Sequence, residues 1–202
     1  YDNRYVDTPD NICLQDHIRG RKIRFKVRIR SYSNSNISFL EVKSRNVYGR
    51  SQKMRIQRTS EKWDSPLTSK EQEFLEKCVS FAAELKPVLY SSYSRYTIAN
   101  IEKGERITFD TNLEYKTLTG ETYKPLDGLA VVELKQAETD RRSPLISIFR
   151  NRNDRRSPLG RTIRISKYIL GRLHTNKHLS AKAYHESLKE LTRAKQVSIS
   201  IT

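Results

Sequence analysis

The sequence predicts an α+β fold: an antiparallel β-barrel closed into a tunnel with a basic lumen, with helices packed outside. Three observations predict it. Lys22–Arg30 alternates without a break, so Arg24, Lys26, Arg28 and Arg30 share one face of an extended strand, opposite Ile23, Phe25, Val27 and Ile29. Later segments repeat the device. Two amphipathic helical patterns then supply cover for the apolar faces. An open sheet of this kind would present a wide charged plain. A closed one turns the cations inward and has no edge strands.

The elements follow in order. Tyr1–Asp7 reads as a short strand closed by Thr8-Pro9-Asp10, and Asn11–Gly20 as a short helix or turn. The basic strand runs to Tyr32. Small polar residues, Ser31 to Asn36, turn the chain into Ile37–Arg45, where Phe39, Glu41, Lys43 and Arg45 face away from Leu40 and Val42. After a turn at Val47-Tyr48-Gly49, Gln52–Arg58 sets Lys53, Arg55 and Gln57 against Met54 and Ile56, which completes an antiparallel meander. Trp63–Leu67 is a linker. Thr68-x-x-Glu71 and Ser69-x-x-Gln72 are both capping boxes for a helix whose apolar face, Phe74 to Leu85, continues down to Pro87. Val88–Asn100 and Glu105–Asn112 are strands, Leu113–Asp127 a polar hairpin or loop, and Gly128–Gln136 a strand. Two Arg-Arg-Ser-Pro-Leu stretches, a local coincidence, bracket a short helix candidate at Leu145–Arg150. A final helix covers Leu179–Ala194. Residues 1–195 form one domain, and 196–202 a strand-like tail.

The 202 residues carry a net charge of +16 with 36% hydrophobic residues. Such a field recruits polyanions: nucleic acid, polyphosphate, nucleotides or an anionic membrane. Cys13 and Cys78 are too few and too far apart for a zinc site or a disulfide framework, and point to a reducing compartment. No apolar run approaches the roughly 20 residues of a membrane-spanning helix. A cytoplasmic location is expected, with any membrane association left to other segments or partners. His17, His174, His178 and His185 lie off the polar strand faces and are read as surface residues. No P-loop pattern is present.

Collected together, the polar faces supply Arg24, Lys26, Arg28, Arg30, Lys43, Lys53, Arg55, Arg95, Arg106 and Lys135, with the carboxylates Glu41, Asp110 and Glu133. Inward cations would hold a linear polyanion by charge-assisted hydrogen bonds. Inward carboxylates would hold Mg²⁺ or Mn²⁺ against its phosphates. Glu41 and Glu133 are the metal candidates, although either could instead be a salt-bridge partner for Lys43 or Arg28. Each basic residue alone could equally belong to a solvated face.

In order along the chain stand Arg28-x-Arg30-x-Tyr32, Leu40-Glu41-Val42-Lys43, Tyr93-x-Arg95, Arg106-Ile107-Thr108-Phe109-Asp110, Val132-Glu133-Leu134-Lys135 and Ser166-Lys167-Tyr168-x-x-Gly171. This ordered set resembles the VTC-type polyphosphate polymerase domain, a branch of the triphosphate tunnel metalloenzymes. The resemblance implies a tunnel of eight antiparallel strands. It also implies metal-dependent transfer of the ATP γ-phosphoryl group to a growing inorganic polyphosphate chain. Phosphate contacts then fall on Arg28, Arg30, Lys43, Lys53, Arg95 and Lys167, with Arg55, Tyr93, Arg106, Arg164 and Ser166 assisting, and the polar faces add Lys26 and Lys135 as further substrate-binding candidates. Glu133 falls on the family's metal-binding glutamate. Arg164 replaces a lysine, which keeps the charge but changes its geometry. The family's first tunnel strand, with its acidic residues, has no match and is expected before residue 1.

Two rival readings share the chemistry. A tripolyphosphatase or nucleoside triphosphatase of the same fold would use water as acceptor and a richer acidic cluster. A non-catalytic module would only bind polyphosphate. RNA readers set stacking aromatics beside their cations. Here Phe25 and Phe109 sit on the apolar faces, so no nucleic-acid partner is expected.

Overall fold

The computed structural model describes residues 1–59, 62–138, 140, 142–144, 146, 163, 166–176, 178–180 and 182–199. Its strands are β1 (Asp2–Asp7), β2 (Arg24–Tyr32), β3 (Ile37–Arg45), β4 (Ser51–Gln57), β5 (Lys86–Asn100), β6 (Glu105–Lys116), β7 (Thr122–Tyr123) and β8 (Val131–Gln136). Its helices are α1 (Ile12–Ile18), α2 (Ser69–Cys78), α3 (Lys167–Thr175) and α4 (His185–Ile199). The fold is α+β. Hydrogen bonding orders the strands β4-β3-β2-β1-β5-β6-β7, with β8 also beside β6. Among the described residues the path ends do not pair, so hydrogen bonds do not close the sheet into the expected barrel. Two compact units divide the chain. The first holds Tyr1–Ser92, Tyr115–Tyr123 and Ser166–Ala183, and the second Tyr93–Glu114, Lys124–Ile165 and Tyr184–Thr202.

In the first unit the alternation of β2–β4 sends Val27, Ile29, Leu40 and Val42 to one face, where all are at most 1% exposed. They pack with Leu75, Val79 and Ala82, flanked by Phe25, Met54, Ile56 and Phe81. Burying such a side chain is worth about 1.5–3 kcal/mol. The predicted helical face is therefore buried as expected, but the helix stops early. Val79 takes an extended conformation (φ −144°, ψ 135°), and a 3₁₀ turn follows at Ala82–Glu84. β-Branched Val79 and the competing Ser80 hydroxyl weaken the helix here, and the extended residue lets Val79 and Ala82 both reach the sheet. The α2 capping box is complete: Glu71 N donates to Thr68 Oγ1 and Thr68 N to Glu71 Oε2. The other Glu71 oxygen faces Arg58 Nε at 3.0 Å, a buried ion pair.

α1 and α3 are tied to β1 through Asp7. This buried carboxylate accepts from Thr8 N, Cys13 N, Leu14 N and the Tyr168 hydroxyl. It does for the first turn of α1 what Asn11, whose side chain caps nothing in α1, does not. α3 lies close because Gly171 has no side chain: a Cβ there would come within 2.5 Å of Leu89 and Tyr115. The glycine of the Ser166-to-Gly171 motif is thus a packing residue.

Three further expectations need correction. β6 continues to Lys116 through residues read as loop, since Leu113 and Tyr115 alternate into the core at 2% and 0% exposure. The last helix begins at His185, after a 3₁₀ turn at Lys182–Tyr184, rather than at Leu179. Residues 196–199 continue that helix, so the tail is not strand-like up to there. The candidate helix Leu145–Arg150 falls largely outside the described residues.

Candidate functional site

The first unit's polar face is a set of cross-strand rows, because antiparallel partners share a face. Lys26, Lys43 and Lys53 are aligned across β2, β3 and β4. The next row is Tyr5, Arg28, Glu41 and Arg55, and the next Asn3, Arg30, Phe39 and Gln57. Glu41 is the one carboxylate on these rows. Like charges directly opposite one another destabilise a sheet, so the lysine row is a standing cost that an anion would relieve.

Each residue is held differently. Glu41 is 2% exposed. It takes Arg28 Nε at 2.8 Å and Nη2 at 2.6 Å on one oxygen, and the Lys53 ammonium on the other. Burial alone would raise its pKa, but Arg28, Lys53 and Arg30 outweigh burial and hold the carboxyl below its ordinary range. Arg30 is buried, donates to Asn3 Oδ1 at 2.9 Å and lies over the Tyr1 ring. Arg55 stacks on Phe39 at 4.4 Å. Lys43 is exposed. Lys26 is half-buried, and burial together with Lys43, Arg24 and Arg28 pushes its pKa down to about 8.

His17 corrects the surface reading. It is half-buried on α1, with Nδ1 2.7 Å from Cys13 O. A carbonyl only accepts, so Nδ1 carries the proton. Burial first, then the cations Lys26, Arg24 and Lys43, lower its pKa to about 3. The imidazole is neutral and belongs to the basic face. Its spacing, four residues after buried Cys13, was the available signal. His174 is also half-buried, bonded to Leu170 O, while His178 and His185 are exposed.

Ser166 caps α3 by accepting from Ile169 N at 3.3 Å, and Lys167 opens the helix, its carbonyl taking the Tyr115 hydroxyl at 2.7 Å. Arg164 lies outside the described residues.

The second unit has its own polar face. Arg95 grips Asp110 with two bonds, 2.5 and 2.7 Å, and lies over the buried Tyr93 ring at 5.4 Å. Arg106 is opposite Lys135, and Thr108 opposite Glu133. Arg106 is exposed. Glu133 is 48% exposed and meets only the flexible Lys135 of its own strand, at 3.4 Å, among the described residues.

The carboxylates differ as metal ligands. Among the described residues no three or more His, Cys, Asp or Glu gather to hold a metal by themselves. Mg²⁺ needs only one or two carboxylates when substrate phosphates complete its shell. Glu133, exposed and loosely paired, fits that role. Glu41 and Asp110 do not, because each is committed to cations. Glu41 has salt-bridge partners in Arg28, as expected, and in Lys53 in place of Lys43.

No helix of the described residues is long and apolar enough to cross a membrane. No curated protein matches the sequence. Among solved structures, a crystal structure of a "putative adenylate cyclase" from Bacillus halodurans is similar at 12% identity, over 82% of this chain and 78% of that one, with a TM-score of 0.46. That likeness is too slight to carry an argument. The sequence matches the VTC domain over residues 1–176, most of its length and all eight strands. The chain therefore belongs to the VTC domain family.

Proposed function

We propose that the chain is a polyphosphate polymerase that transfers the γ-phosphoryl group of ATP to a growing inorganic polyphosphate chain. The observation that carries this reading is the cross-strand row Lys26, Lys43, Lys53 beside Arg28, Arg30 and Arg55, with Glu41 as its one carboxylate. Phosphoryl transfer asks a protein for positioning and charge stabilisation more than for covalent chemistry. Arg28, already fixed by Glu41, and Arg30, fixed by Asn3, offer preorganised donors. Lys26, Lys43 and Lys53 add charge that follows the phosphates. Ser166 and Lys167, at the start of α3, would bind phosphate as well. In the second unit Arg95, Arg106 and Lys135 are the phosphate-binding cations, and Tyr93 backs Arg95. Glu133 would hold Mn²⁺ or Mg²⁺, which when bound neutralises phosphate charge. Closure of the sheet into a tunnel belongs to the same proposal.

The carboxylate count supports a polymerase over a hydrolase. A triphosphatase with two metals wants an acidic cluster, and of the carboxylates Glu41, Asp110 and Glu133 that the sequence places on the polar faces, Glu41 and Asp110 are bound to cations. The test is incubation with ATP and Mn²⁺ or Mg²⁺, with products resolved on a polyphosphate-stained gel beside a free-phosphate assay. A ladder of long polymer with ADP release is expected. Free phosphate without polymer would instead establish the triphosphatase. Tripolyphosphate binding with neither product would establish a binding module.

A further inference from the structure

Thr108 stands in the middle of the second unit's polar face. On β6 it shares that face with Arg106 and Asp110, two residues away on either side, and across the ladder it is opposite Glu133. It is 3% exposed, yet among the described residues its Oγ1 has no hydrogen-bond partner. A buried hydroxyl without a partner is costly, and nearly all such groups in folded proteins find one. The polar groups around it are already committed. Asp110 receives both Arg95 bonds, and Glu133 faces Lys135. The hydroxyl rotor can donate to an oxygen supplied from outside.

We propose that Thr108 Oγ1 is a phosphate-binding group, donating to a phosphate oxygen of a linear polyphosphate held by Arg106 and Lys135. Those two cations are directly opposite one another, two residues along the ladder from the Thr108–Glu133 pair. The side chains of Glu133 and Lys135 are 48% and 52% exposed. The pair is loose enough for the Lys135 ammonium to turn onto the ligand while the Glu133 carboxylate swings away from it, which opens the hydroxyl to the phosphate. The unpartnered hydroxyl is then a cost of the empty site that ligand binding removes. This deepens the polyphosphate reading and rests on it.

The test uses Thr108→Val, which keeps the shape and removes the hydroxyl, and Thr108→Ser, which keeps the hydroxyl. Tripolyphosphate binding is measured by calorimetry with Mg²⁺ and again in EDTA, beside melting temperatures without phosphate. Thr108→Val is expected to bind about tenfold more weakly in both conditions, as loss of a hydrogen bond to a charged group implies. It is also expected to melt higher than the parent when no phosphate is present. Thr108→Ser is expected to bind within about twofold of the parent, a difference of about 0.4 kcal/mol. Unchanged affinity in Thr108→Val overturns the proposal, as does a loss confined to Mg²⁺, which would make the hydroxyl a metal ligand. A lower melting temperature in Thr108→Val without phosphate also overturns it, because the hydroxyl would then have a structural partner. A parent that binds no tripolyphosphate overturns the polyphosphate reading itself, and this inference with it.

Discussion

Leu40-Glu41-Val42-Lys43 and Val132-Glu133-Leu134-Lys135 are nearly the same tetrapeptide on two strands, yet their glutamates live in opposite conditions. Glu41 is buried in a row with Arg28 and Arg55 and binds two cations. Glu133 is half exposed, opposite an uncharged threonine. Alternation along a strand decides which face a carboxylate takes. Its cross-strand neighbours decide whether it is a structural counter-ion or a group left over for a metal.

The sharpest way to break this comparison is to delete each carboxylate. Glu41→Ala leaves Arg28 and Lys53 without their counter-ion and should cost about 3 kcal/mol, the low end for a broken buried pair because Lys53 is partly exposed. Glu133→Ala should stay within about 0.5 kcal/mol. Urea denaturation reads both, and equal losses would erase the distinction. The pH dependence has a definite sign. Glu41 is held below its ordinary value of 4.5, so its contribution is complete above that pH and is lost as pH falls through the folded value.

Metal binding sharpens the same contrast from the other side. Glu133→Gln should weaken Mn²⁺ binding to the tripolyphosphate complex by on the order of tenfold or more, with little change in melting temperature. Electron paramagnetic resonance titration of Mn²⁺ checks this. If Glu41→Gln, still folded, showed the larger loss of Mn²⁺, the roles assigned to the two glutamates would be reversed.

A smaller effect separates the lysine row from the arginines. Lys26 has its pKa lowered to about 8. Its charged form is disfavoured in the fold, so without phosphate its contribution to stability rises as pH climbs from about 8 towards the unfolded value of 10.5. A bound polyanion would restore the proton. Calorimetry at pH 8, in buffers of different ionisation enthalpy, should show uptake of a fraction of a proton on tripolyphosphate binding. Lys26→Gln should abolish most of that uptake. Uptake unchanged in Lys26→Gln would place the ligand elsewhere.

Period-two alternation made the first unit's sheet legible, because every second residue from Arg24 to Arg30 is charged and the intervening ones are apolar. The Thr68 capping box was equally plain, since its two hydrogen bonds are local. What stayed hidden depends on contacts distant in sequence. The partners of Glu41 lie on β2 and β4, and nothing within its own strand distinguishes it from Glu133. His17 joins the basic face only because α1 packs on β2, and its half-burial could be read only from its spacing to Cys13. Leu113 and Tyr115 continue β6 through a stretch whose polar neighbours suggested a loop. The break at Val79 required knowing that the sheet lies within reach of an extended residue.

The most direct test of the basic face as the polyphosphate site is lysine footprinting. The protein would be labelled with an amine-acylating reagent at pH 8, with and without tripolyphosphate, and each lysine's modification followed by mass spectrometry. With its lowered pKa, Lys26 should react readily in the free protein. With tripolyphosphate bound, Lys26, Lys43 and Lys53 should be protected together, while exposed Lys77, already paired with Glu73 on α2, should react as before. Protection that spares all three lysines of that row, or falls equally on Lys77, would contradict the placement of polyphosphate on this face.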